Sequence, residues 1–87
     1  MQKVSMNEPI DVFVYFLDKR IRPFKFRRPN GKVYEIQKVL KFLFFRGDTR
    51  GREHGLFSFS VLADGNQYTI QCDQGTLKWT LIDVSVD

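Results

Sequence analysis

The chain has 87 residues, of which 43% are hydrophobic and 15% aromatic, and it carries a net charge of +4. This length supports one domain with a single modest core, and no apolar run approaches the roughly 20 residues of a membrane-spanning helix. A single cysteine excludes an internal disulfide framework and a cysteine-based zinc cluster. Because the first residues also lack a signal-peptide pattern, we expect a soluble cytoplasmic protein with no membrane partner.

Positive charge is concentrated in the middle of the chain. Residues 19–54 hold twelve lysines and arginines against three carboxylates, whereas the rest of the chain holds two lysines against seven carboxylates. Clustered charge attracts and holds the opposite charge, which predicts contact with a polyanion or an acidic partner. The alternative is a solvated surface that only keeps a small protein soluble.

The first predicted strand follows a short N-terminal tail. Residues 1–9 are expected to be flexible. Residues 10–17, with the sequence IDVFVYFL, are β-branched and aromatic and have apolar residues at both parities. This composition predicts a strand that is covered on both faces, and the chain is expected to turn at residues 18–20.

The second and third segments are predicted to form a hairpin. In residues 21–28, Phe24 and Phe26 are expected to face the core while Lys25 and Arg27 face solvent. Residues 29–31 read Pro-Asn-Gly, in which proline presets φ and Asn-Gly tolerates the positive φ values of a tight turn. The next strand should therefore run back antiparallel to residues 24–28.

Residues 32–45 have two interpretations. A strand bent by a β-bulge near residues 37–38 fits the alternation, with Leu40, Phe42 and Phe44 among the residues on the core parity. A strand that gives way to one short helix near residues 39–45 also fits, because the apolar spacing i, i+3, i+4 occurs there. We favour the strand, since the phenylalanines are poor helix formers and the hairpin turn commits the segment to strand geometry.

The last third of the chain predicts three more strands. Residues 57–61 and 67–72 alternate apolar with polar side chains around an Asp-Gly-Asn turn, which predicts a hairpin with one dry face. In residues 77–86 the apolar parity changes after Leu81, and such a change requires a bulge. The sum predicts a single all-β domain over 10–87, a small antiparallel barrel or curled meander of five or six strands.

Catalytic constellations are missing from this sequence. His54 is the only imidazole, and Cys72 is the only thiol and shares the parity of buried residues, so it reads as a packing residue. No acid–base pair, phosphate-binding glycine loop or metal-ligand spacing accompanies them. We therefore expect no enzymatic activity, no cofactor and no bound metal.

A binding role has more support, because cations and phenylalanines alternate along the predicted hairpin. Small basic β-barrels use cations to follow a phosphate backbone and rings to stack on bases, which favours single-stranded DNA or RNA as the partner. If both phenylalanines belong to the core, the cations only protect a sheet edge. The candidate nucleic-acid-binding residues are Arg20, Arg22, Lys25, Arg27, Arg28, Lys32, Arg46, Arg50 and Arg52.

A second hypothesis is a protein-interaction or homo-oligomerisation module. Val39, Leu43 and Phe45 lie on the parity opposite to the predicted core. An exposed apolar strip of this kind is typical of an interface, with an acidic protein or a second copy of the chain as the partner.

Two segments carry a resemblance to a known family. GKVYEIQKVLKF (31–42) and GTLKWTLIDVSVD (75–87) resemble the opening and closing motifs of a family of small bacterial domains of unknown function, with matches at Gly31, Tyr34, Ile36, Val39, Leu40, Gly75, Trp79 and Leu81. The resemblance implies a small all-β domain in which Tyr34 and Trp79 pack. Some related domains occur with proteins similar to translesion polymerases, which implies a DNA-related role.

Overall fold

The computed structural model describes residues 2–45 and 55–86, which form six antiparallel strands. The strands are β1 (Gln2–Leu17), β2 (Arg20–Arg27), β3 (Val33–Phe45), β4 (Leu56–Ala63), β5 (Asn66–Asp73) and β6 (Trp79–Val86). Each strand pairs with the next, and β1 also pairs with β6, so the sheet closes on itself as a barrel. The predicted all-β antiparallel architecture is confirmed, and the alternative of a short helix near residues 39–45 is wrong because that segment is strand.

Tight turns set the register of the hairpins. Asp18 and Lys19 between β1 and β2 both have positive φ (51° and 63°), as do Asp64 and Gly65 between β4 and β5 (50° and 77°). Two consecutive positive φ values twist a two-residue turn in the same sense as the strands that it joins. In the turn predicted at residues 29–31 only Gly31 has a positive φ, of 89°.

The N-terminal residues depart from the prediction of a flexible tail. They form the first half of β1 and pair with β6, from Gln2 opposite Val86 to Ile10 opposite Trp79. An irregularity between Ser5 and Glu8 interrupts the register. Because closure needs a partner for the free edge of β6, tertiary pairing orders a segment whose own sequence has weak strand preference.

The two longest strands each serve two different neighbours. The first half of β1 pairs with β6 and its residues 11–17 pair with β2. Likewise, β3 pairs with β2 through residues 33–35 only, and its residues 36–45 pair with β4. Beyond those three residue pairs β2 and β3 separate, and a cavity of about 850 Å³ lies between them in the described part of the chain.

Bulges control which side chains face inward. The predicted bulge near residues 37–38 is confirmed by a register shift between Ile36 and Lys38, and a second shift follows between Val39 and Lys41. The bulge predicted after Leu81 is also confirmed, since Ile82 is the extra residue between the pairs Ile70–Leu81 and Thr69–Asp83. Each bulge bends its strand and so helps a short sheet to close.

Aromatic rings fill the end of the barrel where β2 and β3 are joined. Phe26 is fully buried and stacks on Tyr34, with ring centroids 5.0 Å apart, while Tyr68 meets Phe26 edge-on at 5.3 Å. Val61, Ala63, Ile70 and Leu81 are also fully buried. Burying a ring of this size stabilises the fold by roughly 2–3 kcal/mol.

Nowhere in residues 2–45 and 55–86 is there a helix of the length and apolarity needed to cross a membrane.

One ion pair joins the first half of β1 to the end of β2. The Arg28 guanidinium donates two hydrogen bonds to Glu8, from Nε to Oε1 at 2.7 Å and from its second terminal nitrogen to Oε2 at 2.9 Å. Both side chains are only about one-fifth exposed (23% and 22%). These hydrogen bonds hold the pKa of Glu8 below its usual value of 4.5, against the opposing effect of burial.

We predict that this pair makes stability depend on acidity. The pKa of Glu8 is lower in the folded than in the unfolded chain, so its contribution is present above about pH 4.5 and is lost as the pH falls through the folded-state value. Glu8→Gln should lower the free energy of unfolding by about 1–2 kcal/mol at pH 7, and by less near pH 3. Urea denaturation at the two pH values measures both effects.

The control is the more exposed pair of Asp11 with Arg27, whose side chains are 65% and 50% exposed. Asp11→Asn should cost less than about 0.5 kcal/mol at pH 7, because water screens an exposed pair. Equal losses for the two variants would contradict the structural role given to Glu8.

Candidate nucleic-acid interface

The hairpin of β1 and β2 places aromatic and cationic side chains opposite one another on its outer face. The two-residue turn pairs Leu17 with Arg20 and Tyr15 with Arg22. Residues directly opposite in an antiparallel pair point to the same side of the sheet, with Cβ atoms about 5 Å apart. Tyr15, which is exposed, therefore lies beside an exposed arginine.

A bulge extends this arrangement along the hairpin. Phe13 lies opposite Lys25, while Val14 lies opposite Pro23, so that Phe24 is the extra residue of β2. The Phe24 ring contacts both neighbouring rings of β1, with centroids 6.3 Å from Phe13 and 5.7 Å from Tyr15. The surface formed by Phe13, Tyr15, Phe24, Arg22 and Lys25 is called here the aromatic–basic face.

Lys25 lies over the rings of this face. Its Nζ is 5.7 Å from the centroid of Phe13 and 5.8 Å from that of Phe24. A cation at this distance is attracted by the electron-rich face of a ring. The interaction holds a positive charge next to two half-exposed rings rather than leaving it to move freely in solvent.

The bulge also corrects the prediction for β2. Phe26 is buried as predicted, but Phe24 is exposed, because the extra residue shifts the parity between Pro23 and Phe26. Pro23 takes the inward position instead and is fully buried. Lys25 is half-buried, and Arg27 is exposed as predicted.

Three of the predicted cations are occupied by partners within the chain. Arg28 binds Glu8, as described above, and Arg27 donates to Asp11 at 2.7 Å. Lys32 lies 3.6 Å from a carboxylate oxygen of Asp64 and 4.9 Å from the centroid of the Tyr34 ring. These three side chains therefore contribute less to an external contact than a count of charges indicates.

The remaining predicted cations divide into two groups. The described residues place no carboxylate within 4 Å of Arg20, Arg22 or Lys25. Arg46, Arg50 and Arg52 lie outside the described residues, as does His54. The part of the predicted set that the structure brings together is thus Arg20, Arg22 and Lys25 of β2.

The apolar strip predicted as an interface on β3 is only partly exposed. Leu43 and Phe45 are exposed. The prediction for Val39 is wrong: it lies opposite the buried Val61, is half-buried and packs on the core. The register shift that follows Val39 reverses the parity of the strand between it and Leu43.

The structure gives no support to a catalytic role for the thiol. Cys72 is buried, as the alternation of β5 predicts, and it packs opposite Phe57 and Trp79. Burial raises the pKa of its thiol, and the neighbouring Asp73 carboxylate raises it further. Residues 2–45 and 55–86 contain no group of three or more His, Cys, Asp or Glu side chains that could hold a metal ion.

Sequence reasoning missed the aromatic half of the site. Phe13 and Tyr15 were expected only as part of a covered strand, yet both are about two-fifths exposed. A two-residue turn at Asp18 and Lys19 would have predicted Tyr15 opposite Arg22 by counting outward from the turn. Pro23 marks the position where the count fails, since proline within a strand is confined to edges and bulges.

No protein-family model matches the chain, and searches of curated proteins and of solved structures found no match.

We predict that Cys72 is unreactive in the folded protein. Because the reactive species is the thiolate, both its burial and its raised pKa slow disulfide exchange at neutral pH. Reaction with Ellman's reagent at pH 7.5 should be at least about 100-fold slower than in the urea-unfolded chain. A native rate close to the unfolded rate would contradict the packing role.

Proposed function

We propose that the domain binds single-stranded DNA or RNA, without catalysis, through the aromatic–basic face. The observation that carries the proposal is the pairing of exposed rings with cations that have no carboxylate partner among the described residues: Tyr15 opposite Arg22, and Phe13 opposite Lys25. Rings of this kind stack on bases, and the adjacent cations neutralise the backbone phosphates.

The geometry favours a flexible strand over a duplex. Side chains two residues apart on one face of a strand are separated by about 6–7 Å, so Phe13 and Tyr15 offer two successive stacking positions. Bases within a duplex are already stacked on each other and do not offer their faces to a protein ring. Unpaired bases can be splayed onto such a platform.

An acidic protein is the weaker alternative for this face. Acidic side chains would satisfy Arg22 and Lys25, but they would leave the cluster of Phe13, Tyr15 and Phe24 without a matching partner. A cytoplasmic location is part of the proposal, since a lone thiol such as Cys72 stays reduced there.

The affinity should decrease with salt in proportion to the number of phosphates contacted. With Arg20, Arg22 and Lys25 as the contacts, the logarithm of the association constant should fall with the logarithm of the salt concentration with a slope of about −2. Fluorescence anisotropy of labelled dT12 and U12 oligonucleotides at two salt concentrations measures this slope. Failure to bind either strand at low salt would exclude the proposed function.

We predict that Tyr15→Ala weakens binding of dT12 by about tenfold, because one base loses its stacking partner. Phe45→Ala is the matched control, since it removes an equally exposed ring (42% for each) from β3, outside the aromatic–basic face. Anisotropy titrations of the two variants at one low salt concentration make the comparison. Equal losses would show that general apolar surface, and not the aromatic–basic face, binds the oligonucleotide.

The second candidate function is self-association through β3. Leu40, Phe42, Leu43, Phe44 and Phe45 are all between 40% and 49% exposed. On the side away from β4, residues 36–45 have no strand partner among the described residues. An open strand edge with apolar side chains pairs readily with a second copy.

Self-association through β3 predicts that the molar mass measured by light scattering after size exclusion rises with protein concentration, because strand pairing would join two chains. Phe45→Asp should return the chain to a monomer, since it places a charge on the paired edge. Val4→Asp is the control, because Val4 is exposed to the same degree (42%) but lies on β1. A wild-type monomer at millimolar concentration would leave nucleic-acid binding as the single candidate.

A further inference from the structure

The cavity between β2 and β3 is a second feature that the aromatic–basic face does not explain. It lies where the two strands separate, and its volume of about 850 Å³ is within the range of small-molecule sites, roughly 300–1,000 Å³. The turn between β1 and β2 and the turn between β5 and β6 both contribute to its lining, through Lys19 and Leu77 respectively.

The lining is mostly apolar. Eight of the thirteen described residues that line the cavity are apolar, and they include the rings of Phe42, Phe57 and Phe59. These three rings contact one another, with centroids 5.0–6.4 Å apart. Such a wall offers dispersion contacts along an apolar molecule but no polar partner for a base or sugar.

Apolar side chains remain exposed at this cavity. Phe16 is 75% exposed and Leu77 is 73% exposed, although both line the space. Leu77 also has a positive φ of 59°, a conformation that is uncommon for a residue other than glycine. An apolar chain seated in the cavity would remove this surface from water.

The charges of the lining are of one sign. Lys19, Arg20 and Arg22 line the cavity, and no carboxylate is among its described lining residues. Gln74 is the only uncharged polar side chain that accompanies them, apart from the Cys72 thiol. Because cations of this kind favour a negative group over a neutral or positive one, the cavity is complementary to an apolar chain with an anionic head.

We propose that this cavity binds an amphipathic anion, namely a long-chain carboxylate, with its alkyl chain along Phe42 and Phe57 and its carboxylate at Lys19 and Arg20. A free nucleotide fits less well, because the apolar wall of the cavity has few hydrogen-bond donors or acceptors for the edge of a base. The cavity shares Arg20 and Arg22 with the proposed phosphate contacts, but its lining includes none of the rings of Phe13, Tyr15 and Phe24, and its ligand is proposed independently of nucleic-acid binding.

The test uses dodecanoate at pH 7.5, below the concentration at which it forms micelles, and dodecyltrimethylammonium as the probe of opposite charge and equal chain length. Trp79 is the only tryptophan of the chain, and its ring lies 5.8 Å from that of Phe59 in the cavity wall, so its fluorescence should follow occupancy. Isothermal titration calorimetry gives the stoichiometry. We expect one dodecanoate per chain, bound at least about tenfold more tightly than the ammonium probe.

Two variants localise the site. Phe42→Asp places a carboxylate on the apolar wall and should weaken dodecanoate binding at least about tenfold, whereas Phe45→Asp, a similar change on the same strand but outside the described lining, should not. Lys19→Glu should weaken binding about threefold or more, and Lys3→Glu, which changes an exposed lysine on the first half of β1 outside the described lining, should leave it unchanged. Circular dichroism confirms that each variant is folded.

Three results would overturn the proposal: no saturable binding of dodecanoate, equal affinity for the two probes, or equal losses in Phe42→Asp and Phe45→Asp. The same variants and a competition experiment separate dodecanoate binding from the proposed nucleic-acid binding. Tyr15→Ala should weaken the binding of dT12 and leave the binding of dodecanoate unaffected. Phe42→Asp should weaken the binding of dodecanoate and leave the binding of dT12 unaffected. Displacement of dodecanoate by dT12, with loss of both in Phe42→Asp, would assign the cavity to nucleic acid instead.

Discussion

The shape of the barrel depends on strands of unequal length that pair over only part of that length. β3 has thirteen residues and β2 has eight, and they share only three residue pairs before β3 turns toward β4. β1 divides its length in the same way between β6 and β2. The ring therefore closes at one end, where Phe26, Tyr34 and Tyr68 pack, and stays open at the other. The cavity, the free edge of β3 and its exposed phenylalanines all follow from this arrangement.

Much of the fold could be predicted from local pattern. Positive φ at Gly31 and Gly65 is readable from the glycines, and the bulges near Lys38 and after Leu81 follow from changes in apolar parity. Residues 2–9 could not be placed, because their order comes from a partner strand at the other end of the sequence. The cavity could not be predicted either, since no local sequence pattern indicates over how many residues two strands stay paired.

The candidate site was half predictable. The cations of β2 were identified from the sequence, but the sequence pattern does not show that Arg27 and Arg28 bind Asp11 and Glu8, which lie 16 and 20 residues earlier in the chain. Phe24 was assigned to the core because period-two alternation cannot detect an inserted residue. That single bulge converts a core phenylalanine into the residue that joins the rings of the aromatic–basic face.

The seams between β2 and β3 and between β1 and β6 differ in their number of residue pairs and in the length of chain that they enclose. The seam between β2 and β3 has few residue pairs but joins segments only a few residues apart, so it costs little chain entropy to form. The seam between β1 and β6 is longer, yet it brings Gln2 to Val86 and therefore restricts almost the whole chain. Such non-local pairing slows folding. During synthesis on a ribosome, the edge of the first half of β1 that pairs with β6 therefore stays unpaired until β6 has been made.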